Sequence, residues 1–212
     1  MNLLKLSYSI LFTLLLAIRL FGDSPVDRSV SLALVSDDFG LADGPSWQGW
    51  YLTVPDPKAQ VVKRFITKQN KWNVLAQEKR FSASFFNHGK SYFADHGEGA
   101  IRCLDQNNKW SLVYQEDLTK DKGRRPNDLV VDRNGGIFYT LTRPGELVYL
   151  SSNGKAKTVA SDVETPNGLI LSPDEKTLYV SEYVPKNIIS FQVGNEGALT
   201  NRKLFASMED GQ

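Results

Sequence analysis

Cysteine is almost missing from this 212-residue chain: Cys103 stands alone, so no intrachain disulfide can form. Its strand-like setting, AIRCLDQ, reads as a small buried apolar side chain rather than a reactive thiol. Histidine is nearly as scarce, with only His88 and His96, and no zinc-type His/Cys spacing occurs. Ser-His-Asp arrangements, Walker loops and Rossmann fingerprints are also missing, so nucleotide cofactors are not implied. An excess of one charge is lacking too. Lys plus Arg number 25 against 24 Asp plus Glu, with no basic run or stripe, and this removes the usual footprint of a nucleic-acid partner. No apolar run approaches the roughly 20 residues that span a bilayer, and long helical periodicity does not appear.

The longest apolar run lies in MNLLKLSYSILFTLLLAIRLFG, between Lys5 and Arg19. A basic residue followed by a short apolar core reads as a signal peptide over residues 1–22, cut just after Gly22. The expectation is an exported protein, periplasmic or secreted, with no stable membrane span. A short anchor or a misread start codon are the alternatives.

From there on, aromatic and β-branched residues recur in short runs divided by Gly, Asn, Asp and Pro, the pattern of an all-β chain. Four stretches share one layout: GPSWQGWYLTVPDPKAQVVKRF, FSASFFNHGKSYFADHGEGAIRCL, PNDLVVDRNGGIFYTLTRPGELVYL and PNGLILSPDEKTLYVSEYVPKNIISF. Each gives a loop and three strands, and the segments NKWSLVYQ, GKAKTVA and NRKLFAS supply fourth strands. Asn127 and Asn167 open equivalent loops 40 positions apart. That period, at four strands per unit, predicts a β-propeller over residues 23–212. A lone blade cannot bury both faces, so blades stack radially and their first loops converge on a shared axis. About four blades fit before Gln212. The expectation is therefore a C-terminally truncated piece of a longer propeller, with a complete four-bladed ring as the alternative.

RPNDLVVDRNGGIFYT and PNGLILSPDEKTLYVSE closely resemble two motifs of the SMP-30/gluconolactonase/luciferin-regenerating-enzyme family of six-bladed propellers. LADGPSW resembles the family's first loop, E-G-P-x-W, and SYFADHGEGAIRCL its second-blade stretch. The resemblance implies one divalent metal at the channel mouth, held here by Asp43, Asn127 and Asn167. A further aspartate, from a later P-D-G loop and the best general base, would lie beyond Gln212; Asp210 lacks the context to replace it, so no catalytic residue is assigned. Oxygen donors of this kind suit Ca²⁺ first, then Mg²⁺, with Zn²⁺ or Mn²⁺ as alternatives. The implied activity is opening of sugar lactones by metal-activated water, on a small-molecule lactone or sugar-acid substrate. Substrate contacts fall to Asp128, Arg125 and His96. Departures from the pattern are Asp43 in place of Glu, Leu141 where a T-D-P aspartate is usual, and FSASFF in place of N-G-L-x-F-D. A non-catalytic propeller scaffold and a propeller hydrolase for other esters are the competing readings.

Each residue also has a plainer reading. Asn127 and Asn167 can be turn formers, and Asp43 a loop carboxylate bonded near Gly44. Asp128 can be structural, Arg125 solvated and His96 a rim residue. The tryptophans and the strand Tyr and Phe residues read as core.

Overall fold

The computed structural model describes Ser31 and residues 33–208; the leader-like residues 1–22 and Asp210 lie outside the described residues. The chain divides into two units, residues 1–37 and 38–212, and every strand among the described residues lies in the second. No α-helix occurs among the described residues, only 3-10 turns at Thr67–Gln69 and Asn195–Gly197.

Among the described residues sixteen strands form four antiparallel sheets, each a meander in chain order. The first holds β1 (Ser46–Trp47), β2 (Tyr51–Asp56), β3 (Val61–Ile66) and β4 (Lys71–Gln77). The second holds β5 (Phe81–Asn87), β6 (Lys90–Asp95), β7 (Ala100–Leu104) and β8 (Trp110–Gln115). The third holds β9 (Leu129–Val131), β10 (Ile137–Leu141), β11 (Glu146–Leu150) and β12 (Ala156–Ala160). The fourth holds β13 (Pro166–Leu171), β14 (Thr177–Glu182), β15 (Asn187–Val193) and β16 (Leu199–Ser207). Tight turns join the strands, with His88 and Gly89 both at positive φ in the β5–β6 hairpin. Consecutive sheets touch chiefly through their first strands: β5 lies against β1 and β2, β9 against β5, and β13 against β9 and β10. These are the blades of a propeller of the six-bladed type, four of them within this chain.

Alternation along the third sheet explains why its inner strands, β9 to β11, read as nearly unbroken apolar runs. Leu129, Val131, Ile137, Tyr139 and Leu141 face the second sheet and pack with Ala83, Ala94 and Ile101. Their sequence neighbours Val130 and Phe138 face the other way, onto Leu169, Leu178 and Val180 of the fourth sheet. Side chains in a strand alternate faces, so a blade covered on both sides must be apolar at every position. The first and second sheets close over Val62, Phe81, Phe93 and Leu104. Cys103 is buried, as expected.

The tryptophans depart from the core expectation. Trp47 and Trp50 are 56% and 57% exposed, and Trp110 is also partly open to solvent. Trp47 follows the buried Ser46 and so points to the opposite face of β1, and Trp50 lies in the turn before β2, where Lys68 Nζ sits 3.6 Å above its ring. Strand position alone does not bury a ring that points away from the packed face.

Candidate functional site

The second strands of the four blades end at Asp56, Asp95, Leu141 and Glu182. Counting back along the first strand from each register places Asp43, Ser82, Asn127 and Asn167 at one equivalent position. Asp43 N–H donates to Pro55 C=O at 3.0 Å and Asn127 N–H to Thr140 C=O at 2.9 Å, both acceptors one residue before the strand end. In the other two blades Phe81 pairs with Asp95 and Pro166 with Glu182, each with a bulge immediately after. Asn167 thus lies inside β13, not in a free loop. The three expected metal ligands therefore occupy matching places at the inner ends of three blades.

Backbone-directed bonds stitch these places together from blade to blade. Ser84 donates to Gly44 C=O through both N–H (2.8 Å) and Oγ (3.0 Å). Ser82 Oγ donates to Asn127 C=O at 2.6 Å, and Thr140 Oγ1 to Asn167 C=O at 2.8 Å. Gly44 has to be glycine: its φ is +41°, and a Cβ would fall 2.3 Å from Ala83 Cα. The Asp43 loop is pinned from behind by Asp56, which accepts from Gly40 N–H at 2.7 Å and Leu41 N–H at 3.1 Å. Burial alone would raise the Asp56 carboxyl, but N–H donation from Ala59, Gly40 and Leu41 holds it below the usual range.

With their main chains fixed, the side chains differ in what they meet. One Asp43 oxygen accepts Gly44 N–H at 3.0 Å. The Asn127 and Asn167 amides are half-buried and have no hydrogen-bond partner among the described residues. Desolvation raises the Asp43 pKa, with the Gly44 bond and nearby His96 pulling the other way. Asp128 carries its carboxylate toward the next blade, accepting Leu129 N–H at 2.7 Å and Leu169 N–H at 3.3 Å. Burial pushes it up to about 7, opposed by those two bonds and assisted by the Asp43 charge. Asp43 is thus within electrostatic reach of both His96 and Asp128.

Asn127 opens onto a cavity of about 630 Å³ whose walls include Arg80, His96, Lys122, Arg125 and Arg143. Asp128 lines a second cavity, of about 320 Å³, with Ser84, Phe86 and Leu169 of the inner strands. The expected contacts Arg125 and His96 thus share a wall with Asn127, whereas Asp128 faces along the first strands and has a structural bond to the fourth blade. Arg125 is clamped by carbonyls, Nη1 donating to His96 (2.9 Å) and Gly97 and Nε to Lys122 (3.2 Å). His96 Nδ1 lies 3.3 Å from Pro126 C=O, which requires the proton on Nδ1 and leaves Nε2 as an acceptor. Burial first, then Arg80 and Arg125, lower the His96 pKa against the Pro126 bond and Asp43.

Ser82 is not among the residues expected from sequence; the bulged pairing of β5 with β6 is what puts it at this place. Among the described residues no cluster of three His, Cys, Asp or Glu side chains suits a metal. The donor set in question is instead one carboxylate and two amides, the chemistry of a hard-cation site, and its oxygens fit such an ion in type.

Relatives place this geometry in context. A gluconolactonase of Zymomonas mobilis is 26% identical over 216 residues, covering 86% of this chain and 61% of its own length. The structure of a gluconolactonase from Xanthomonas campestris superposes with a TM-score of 0.71 at 27% identity, over 84% of this chain and 66% of that one. Regucalcin of Agrobacterium tumefaciens, a calcium-binding protein, shares the fold at 17% identity, with a TM-score of 0.64 over 79% of this chain and 59% of that one. The chain thus spans about three fifths to two thirds of these relatives. No helix among the described residues is long and apolar enough to cross a membrane. The family model described as the SMP-30/Gluconolactonase/LRE-like region matches residues 41–212, and the chain belongs to that family.

Proposed function

We propose that this chain carries the site of a divalent-metal-dependent hydrolase that opens sugar lactones. The observation behind the reading is the shared register of Asp43, Asn127 and Asn167, two of whose side chains are amides without hydrogen-bond partners among the described residues. These three residues would hold the ion, Ca²⁺ in the first instance. When bound, a dication there supplies Lewis-acid chemistry, polarising an ester carbonyl and lowering the pKa of water.

The remaining residues bind and orient. Arg125, immobilised by three carbonyls, presents the rest of its guanidinium to the cavity and to substrate oxygens. His96 Nε2, unprotonated in the tautomer fixed by Pro126, accepts from a substrate hydroxyl. Asp128 holds the third and fourth blades in register and so keeps Asn127 and Asn167 aligned. Export through the leader-like segment 1–22 belongs to the same proposal and rests on sequence alone.

The test is acid release from glucono-δ-lactone by the full-length protein, the later P-D-G loop included, measured against spontaneous ring opening. The expected result is a catalysed rate that EDTA abolishes and Ca²⁺ restores. No rate above background across a panel of aldonolactones, with Ca²⁺, Mg²⁺, Zn²⁺ or Mn²⁺ supplied in turn, would replace this reading with a non-catalytic scaffold.

A further inference from the structure

The cavity beside Asn127 is unusual in its charge. Arg80 precedes β5, Lys122 and Arg125 lie between β8 and β9, and Arg143 lies between β10 and β11, yet all four line the same space. Among the described residues no Asp or Glu lines it. The chain as a whole is almost balanced in charge, so this is a local concentration.

Elsewhere four of the five described arginines meet carboxylates, Arg102 with Asp95, Arg124 with Glu116 and Glu146, Arg133 with Glu175 and Arg202 with Glu182, while Arg64 bonds Thr53 Oγ1 and lies over the Tyr51 ring. Among the described residues, Arg80, Lys122 and Arg143 have no such partner, and Arg125 bonds only main-chain carbonyls. The acid nearest in sequence, Asp121, turns one oxygen onto Gly123 N–H at 2.7 Å. Four like charges around a partly enclosed space repel one another, and an anion placed among them relieves that repulsion. Arg125 is also held in place beforehand, which lowers the entropic cost of binding with it.

We infer that this cavity is a subsite for a negatively charged substituent, a phosphate or carboxylate carried on the sugar chain away from the ester. It rests on the lactonase reading and narrows its substrates to anionic lactones. The arginines would bind a phosphate or a carboxylate through paired N–H donors, at a site reached from the same side as Asn127.

Equilibrium binding tests this independently of hydrolysis. The full chain is titrated with three stable probes: sorbitol, glucuronate, whose carboxylate lies at the end of the chain away from the ester position, and sorbitol 6-phosphate. At low salt the two anions are expected to bind at least about tenfold more tightly than sorbitol, an advantage that shrinks at high salt. The Arg80→Ala/Arg143→Ala double variant, altered at two exposed positions where folding is not at stake, is expected to lose most of it. Whichever anion binds better identifies phosphate or carboxylate as the preferred group. Equal affinity for all three probes, no binding of either anion, or an advantage that survives the double substitution overturns the inference. Anion preference without lactone hydrolysis would instead sink the catalytic reading and leave the subsite standing.

Discussion

Replacing Asn167 with Ala is expected to lower kcat/KM for an aldonolactone at least about 100-fold, roughly 2.7 kcal/mol of transition-state stabilisation, while leaving the melting temperature almost unchanged. Asn127→Ala should behave the same way. The separation follows from how each asparagine is held. The main chain is fixed by the bonds from Ser82 and Thr140 to the two carbonyls, and the side-chain amides contribute nothing to the fold through hydrogen bonds. Removing them leaves no buried group unpaired, so stability has little to lose. What disappears is a neutral oxygen donor at matching places in adjacent blades. Initial rates at saturating Ca²⁺, set beside thermal unfolding of the same samples, measure both quantities. Undiminished rates would make the two asparagines turn formers.

The reverse pattern is expected at Glu116. This carboxylate is 5% exposed; it accepts from Tyr139 Oη at 2.6 Å and from Arg124 Nε at 2.8 Å. Arg124 reaches on to Glu146 at 2.7 Å, which also accepts from Thr158 Oγ1 at 3.0 Å. Glu116→Ala leaves a wholly buried tyrosine hydroxyl and a partly buried guanidinium without their shared acceptor. Breaking such a network typically costs about 3–5 kcal/mol. For a chain of this size the melting temperature should fall on the order of 10 °C. Arg124 immediately precedes Arg125, so the loop that carries Arg125 and Asn127 should loosen and KM should rise as well. Tyr139→Phe removes one donor and leaves the arginine pair intact, so its cost should be only about 1–2 kcal/mol. If both substitutions prove equally mild, the network does not hold this loop.

That network also accounts for a departure noted in the sequence. Asp56, Asp95 and Glu182 end the second strands of their blades and grip nearby backbone N–H groups: Gly40 and Leu41, Glu98, and Glu164. Leu141 occupies that place in the third blade and is buried in the core. There the Glu116–Arg124–Glu146 bridge fastens the loop in the carboxylate's stead.

The blades were legible because each strand alternates over a few residues and each turn is marked by Gly, Asn or Asp. The register of Asn127 and Asn167 was legible because the Pro-Asn pair repeats before an apolar strand. Ser82 was hidden by having a different residue type at the same place, since only the backbone pairing reveals the equivalence. Exposure of Trp47 depends on which face of β1 it takes, and that of Trp50 on its place in the turn before β2, neither of which composition reveals. The cationic cavity could not be read either. Arg80, Lys122, Arg125 and Arg143 come from three loops, and radial stacking alone gathers them.

Calorimetric titration of the full chain with Ca²⁺ tests the central claim most directly: three blades contribute oxygen donors to one ion. One site per chain is expected, weakened at least about tenfold by each of Asp43→Ala, Asn127→Ala and Asn167→Ala. Failure to bind Ca²⁺, Mg²⁺, Zn²⁺ or Mn²⁺, or an affinity indifferent to all three substitutions, would contradict it.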